Sequence, residues 1–253
     1  MRLQRIHIIT IFISVFIILP SGLFSGTKLN LNIETGPVFS SYNSVQVPQP
    51  EGTRFSLTDD LDVKGKLYYR LRLTYDIGKL HQISVLYAPL TLKAEGIAEA
   101  DLRFQDSIFS SGEKLSGSYT FNSYRLTYRY KLVRKPKLDL WIGFTAKIRD
   151  AEISIESETK RDNTENVGFV PLLNLIIHWK WSDKTGLIFE ADALASPGGE
   201  GRAEDVALGI YVRLSPKSRI KAGYRFVEGG ADVESVYNFA FLHYFFIGYQ
   251  IGL

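Results

Sequence analysis

The 253-residue chain has no cysteine, a single methionine at its start and only four histidines. Without thiols there are no structural disulfides and no lipoprotein acylation. With so few histidines, and no loop carrying the spacing of a calcium-binding motif, no metal and no cofactor is expected. The formal net charge of +3 is too small to imply a nucleic-acid partner. Hydrophobic content is an ordinary 45%, and beyond residue 20 no apolar run is long enough for a helical membrane span. Internal repeats, domain linkers and low-complexity tracts are missing as well.

What the chain does have is aromatic residues, 14 Tyr and 16 Phe, set in alternating segments that favour strands over helices. The last segment is the clearest. From Phe239 every second position is large (Phe241, His243, Phe245, Ile247, Tyr249, Ile251, Leu253), and smaller or mixed residues stand between. Residues 64–77 alternate in the same way. Leu67, Tyr69, Leu71, Leu73, Tyr75 and Ile77 share one face, and Lys66, Tyr68, Arg70, Arg72, Thr74 and Asp76 share the other. Further strands are expected over 28–42, 80–97 with Pro89 as a bend, 115–132, 138–157, 167–181, 185–195, 206–214 and 219–227. The connections alternate long and short, the long ones at 43–62, 98–113, 158–166, 196–202 and 228–235. This pattern predicts an all-β fold: an antiparallel up-and-down transmembrane β-barrel of about ten strands, with eight or twelve as alternatives. The longer loops would face outward and the turns the periplasm.

The start of the chain carries Arg2 and Arg5, then an apolar stretch over 6–20, then small residues at Ser21, Gly22, Ser25 and Gly26. This reads as a secretory signal peptide over 1–25, leaving 26–253 as one barrel domain. An uncleaved anchor is the competing reading. A soluble barrel would show the same alternation with its faces reversed. Here the polar face mixes charges with Gly143, Ala207, Gly209, Gly223, Gly248 and Gly252, as a crowded interior would. The apolar face is aromatic at Tyr69, Tyr75, Tyr124, Tyr128, Tyr130, Trp179, Tyr224 and Tyr249, as at a lipid interface.

The final strand resembles the C-terminal strand of bacterial outer-membrane proteins, by which the assembly machinery recognises them. Phe245, Ile247, Tyr249, Ile251 and Leu253 keep the apolar alternation, with Leu last where that pattern usually has Phe. The resemblance implies a Gram-negative outer-membrane location, contact with outer-membrane lipids including lipopolysaccharide, and the assembly machinery as a partner. It is generic and names no function.

By parity the inner face holds Arg70, Arg72, Arg125, Arg129, Lys147, Arg149, Arg213, Lys221 and Arg225. The acids there are Asp76, Glu190, Asp192 and Asp205, each expected to bridge one or more cations. Two readings follow: a salt-bridged plug that makes the barrel structural, or a narrow, porin-like channel that prefers anions. The alternative class is an outer-surface binding protein, or a lipid- or peptide-acting barrel enzyme, built on the outer loops. Ser196, Asp192, Glu204 and Asp205 cluster around one loop, but His81, His178 and His243 lie elsewhere and no catalytic residue is assigned. Acids crowd the long loops. The short turns are basic at Lys79, Arg134, Lys135, Lys137, Lys184, Lys217 and Arg219, beside anionic headgroups.

Overall fold

The alternating segments pair into a closed ring in the computed structural model, which describes residues 28–196 and 198–253. The expected signal peptide lies outside the described residues. The strands are β1 (Lys28–Gln46), β2 (Phe55–Ser56), β3 (Asp62–Lys64), β4 (Lys66–Ile77), β5 (His81–Ala88), β6 (Thr91–Ile97), β7 (Leu102–Phe104) and β8 (Ser107–Phe109). They continue as β9 (Lys114–Lys135), β10 (Leu138–Glu156), β11 (Arg161–Lys180), β12 (Thr185–Ala195), β13 (Gly201–Ser215), β14 (Ser218–Val233) and β15 (Val236–Gly252). Around the barrel the order is β1, β4, β5, β9, then β10 to β15, and β15 pairs back onto β1. Every neighbour is antiparallel. β5 and β6 form one stave interrupted at Pro89, which has no N–H to donate; both pair with β9. The result is a closed ten-strand, up-and-down barrel.

The strands run further than the sequence suggests. β9, β10 and β11 have 22, 19 and 20 residues, about twice the 9–11 that cross a bilayer. The segments 158–166 and 228–235, expected as loops, lie mostly in β11 and β14. They are polar because pairing continues beyond the membrane, where outward side chains meet water. Only two connections are long, 47–65 and 98–113, and both are folded: β2 pairs with β1, β3 with β6, and β7 with β8. At the opposite end the turns are short. Gly78, at φ +63°, turns β4 into β5 in a conformation that side-chain-bearing residues rarely adopt.

The two faces exchange character partway up the long strands. Outward on β10 stand Leu138, Leu140, Ile142, Phe144, Ala146 and Ile148, followed by Asp150, Glu152, Ser154 and Glu156. Inward stand Asp139, Trp141, Gly143, Thr145, Lys147 and Arg149, followed by Ala151, Ile153 and Ile155. β9 does the same, with inward Arg129, Thr127, Arg125 and Ser123 giving way to Phe121, Tyr119 and Leu115. The turn-end half is therefore polar inside and apolar outside. Its outer surface exposes Leu67, Phe144, Ile247 and Phe169 at 65–73%, within a belt that requires lipid around it. Tyr69, Tyr128, Tyr130, Trp179 and Tyr249 lie exposed on this outer surface, as their parity predicts. The loop-end half has the opposite, water-soluble pattern. Phe55, Leu57, Leu61, Leu102, Phe104 and Phe109 from the two long connections pack there against Val45, Leu92, Leu115, Ile153 and Ile155.

This reversal is testable on one strand. Leu173→Arg, on the outward face of β11 in the belt, is expected to destabilise the barrel by about 2–4 kcal/mol. Asn163→Arg, on the same face beyond the belt, is expected to change stability by less than about 0.5 kcal/mol. Denaturant unfolding from lipid vesicles measures both.

Candidate functional site

The waist of the barrel is filled by ions. Six cations (Arg70, Arg125, Arg129, Lys147, Lys221, Arg225) and four acids (Glu34, Glu190, Asp192, Asp205) are buried there. Arg225 reaches three acids at once: Glu34 at 3.1 Å, Glu190 at 3.2 Å, and Asp205 in a short charged contact. Glu34 also accepts from Lys221 at 3.1 Å and from the Tyr68 hydroxyl at 3.1 Å. Arg72 donates to Glu190 at 3.0 Å, and Arg70 to Asp205 at 2.8 Å.

Asp192 and Asp205 stand directly opposite each other in the β12–β13 register. Like charges so placed repel. Arg125 resolves the conflict by reaching Asp192 at 2.8 Å with one terminal nitrogen and Asp205 at 2.7 Å with the other. Asp192 further accepts from Thr145 at 2.8 Å and Asn174 at 2.6 Å. Two cations are left over. Arg129 is held by neutral groups, Asn174 at 2.6 Å and Ser84 at 3.0 Å. Lys147 has no hydrogen bond or ion pair among the described residues and lies 4.7 Å from the Phe121 ring centre.

A cavity opens on each side of the waist. The turn-end cavity, about 550 Å³, is lined by Arg72, Asp76, Arg129, Asp139, His178, Glu190 and Arg213, among others. The loop-end chamber, about 720 Å³, is lined by Tyr119, Phe121, Lys147, Arg149, Ile153, Val170, Leu194, Ala203 and Gly229, among others. Most of its lining surface is apolar; Lys147 and Arg149 form its floor, and Glu152, Glu165, Glu200 and the ion pair Arg202–Glu228 are its other charged lining residues. Arg129 faces the first cavity and Lys147 the second, so one surplus cation looks into each.

Of the residues expected on the inner face, Arg70, Arg72, Arg125, Arg129, Lys147, Glu190, Asp192, Asp205, Lys221 and Arg225 stand in or beside the waist. Arg213 is exposed at the turn-end mouth and Arg149 is half-buried in the chamber; neither belongs to the waist. Asp76 bridges no cation among the described residues. It accepts from the amides of Asn30 at 3.1 Å and Gln82 at 2.7 Å. The group Ser196, Asp192, Glu204 and Asp205 is not brought together, because Asp192 and Asp205 are locked in the waist while Glu204 points outward. Glu34, the acid shared by Arg225 and Lys221, was missed. Its signal was the alternation Asn30, Asn32, Glu34 against Leu29, Leu31, Ile33 in β1.

The acids of the long connections hold those connections together. Asp59 and Asp60 fold back onto Ser56 at 2.8 and 2.7 Å. The Ser110 N–H donates to Glu113 and draws its carboxyl below the usual carboxylate range, with Lys160 3.6 Å away. No group of three or more metal-ligating side chains occurs among the described residues.

A closed ten-strand antiparallel barrel with an apolar belt and a polar, ion-filled waist has the fold of the outer-membrane β-barrel proteins. No protein-family model and no curated protein matches the chain. Among solved structures it is similar to the outer membrane protease OmpT from Escherichia coli, at 10% identity and a TM-score of 0.55, over 89% of this chain and 97% of that one. It also matches the translocator domain of the autotransporter NalP from Neisseria meningitidis, at 14% identity and a TM-score of 0.45, over 90% and 89% of the two chains. At such identity the likeness to OmpT establishes the fold alone.

Removing Arg125 leaves two buried carboxylates facing each other. Arg125→Met is expected to cost about 3–5 kcal/mol in the unfolding free energy of the refolded barrel. Arg129→Met, which strands no carboxylate, is expected to cost less than half of that in the same denaturant titration.

Proposed function

We propose that this barrel is closed at its waist, and that its working part is the loop-end chamber, which faces outward and binds a ligand. The observation that carries this reading is the division of the lumen. The ion network lies between two cavities that share no lining residue, and the larger one has apolar walls suited to a bound molecule. Its volume falls within the range of about 300–1,000 Å³ typical of small-molecule sites. The short turns then face the periplasm, as in other barrels of this class.

The narrow anion-preferring channel is a second reading, favoured by the two surplus cations. Arg129 and Lys147 stand on opposite sides of the waist and would attract anions from either end. It requires the Arg225 network to part, which means separating several buried ion pairs at once. A surface enzyme has less support, since Asp192 and Asp205, two of the acids it would draw on, are held in ion pairs.

Conductance of the refolded protein in planar bilayers discriminates between the two. The closed barrel predicts no discrete steps in wild type, and steps in an Arg225→Ala, Glu34→Ala double variant. Wild-type steps with a reversal potential favouring anions would establish the channel.

A further inference from the structure

The wall of the chamber is split on one side. β11 and β12 pair from Lys180 and Gly186 up to Leu173 and Ala193, and there the pairing stops. β11 continues upward, held on its other edge by β10 as far as Arg161. β12 continues only to Ala195, held by β13. Along residues 161–172 the edge of β11 toward β12 therefore pairs with no strand among the described residues. Val170 and Leu194 stand inside the split and line the chamber. Val167, Phe169 and Leu173 stand outside it, 41%, 65% and 57% exposed, and continue the apolar belt. A backbone edge with free hydrogen-bonding groups does not persist against lipid unless it borders a cavity or water. The split thus joins the membrane surface to the chamber.

On the floor of the chamber, Lys147 is neither ion-paired nor hydrogen-bonded to the acids of the lining, Glu152, Glu165, Glu200 and Glu228. Lys147 is 3% exposed, lines the chamber and, among the described residues, has neither a hydrogen bond nor an ion pair, only the Phe121 ring beside it. Beside it, Arg149 donates from Nη2 to Asn166 at 2.5 Å, while its buried Nε has no partner. A buried ammonium with no directly paired carboxylate is costly, and an anion resting on it reduces that cost. Apolar walls above a cationic floor, entered from the lipid side, suit one kind of molecule.

We infer that the chamber takes an anionic amphiphile from the outer leaflet, which enters sideways between β11 and β12 and seats its headgroup on Lys147. This rests on the binding-chamber reading above and adds to it the ligand class and the route. The headgroup would be a carboxylate or a phosphate, and the Arg149 guanidinium, which lines the chamber, would supply a second donor. The apolar body would lie along Phe121, Ile153 and Leu194.

The test uses the full chain refolded in zwitterionic vesicles, with dansyl-labelled undecanoic acid as probe and the matching dansyl alcohol as control. The acid is expected to bind saturably at one site per barrel. The alcohol, and the acid on Lys147→Gln, are expected to bind at least about tenfold more weakly, and Lys147→Arg to restore binding. Unchanged heat-modifiable migration of the variants checks that they fold. Because the chain has no cysteine of its own, Pro171→Cys with Ala195→Cys can be bridged by a bismaleimide across the split. Bridging is expected to slow capture of the vesicle-borne acid at least about tenfold. Equal binding of alcohol and acid, or an unaffected Lys147→Gln, would overturn the headgroup assignment. Capture at an unchanged rate after bridging would overturn the side entry, and displacement of the probe by inorganic phosphate alone at similar concentration would point to a soluble anion instead. If neither acid nor alcohol binds, the binding-chamber reading itself fails.

Discussion

Arg225 lies against Glu34, Glu190 and Asp205 at once, with its side chain 2% exposed. Taking each such ion out of water costs several kcal/mol, and only a complete set of partners offsets it. That requirement organises the middle of the molecule. It draws one acid from β1, two from β12 and one from β13 onto cations from β4, β9 and β14. It also excludes a wide lumen, because charges this close leave no room for bulk water. Packing agrees. The Phe246 ring lies where a Cβ on Gly209 or Gly223 would come within 2.8 Å, so the two glycines give the ring its place beside Lys221 and Arg225. A barrel of this size is filled by its own side chains unless something holds them apart.

Above the waist the same strands follow the opposite rule, and this reversal explains what could and could not be read from the sequence. The ring of ten strands, the inward arginines and the outward aromatics were legible, because alternation within one strand needs no knowledge of its neighbours. Strand ends were less so. Asn163 and Glu165 are polar and look like loop, yet they belong to β11 and face water beyond the membrane. Parity alone puts Asp192 and Asp205 inside, but that they stand opposite each other depends on the register of β12 against β13, which no single strand carries. The chamber did have a signal. Along β9 the inward positions change from Arg125 and Ser123 to Phe121 and Tyr119, while the outward ones change from Leu126 and Tyr124 to Asn122 and Thr120. Reading that change of face as a boundary, rather than averaging over the strand, would have divided the barrel into its two halves. The split between β11 and β12 had no such signal, since it depends on two strands having different lengths.

The two halves give the protein its functional asymmetry. The membrane half supplies closure and anchoring. The loop-end half, stiffened by an apolar core from the two long connections, holds a chamber whose cationic floor is the upper surface of the waist. Lys147 belongs to both, as a surplus charge of the network and as the floor of the cavity. The fold is shared with proteins of other activities, so the proposed ligand binding rests on this junction rather than on the barrel.

The closed waist is most directly tested by single cysteines on either side of it, in a chain that has none of its own. Thr74→Cys lies in the turn-end cavity and Ala151→Cys in the loop-end chamber. In oriented proteoliposomes a membrane-impermeant maleimide should label Ala151→Cys only from the loop side and Thr74→Cys only from the turn side. Labelling of either cysteine from both sides would contradict a closed waist and show a continuous aqueous path through the barrel.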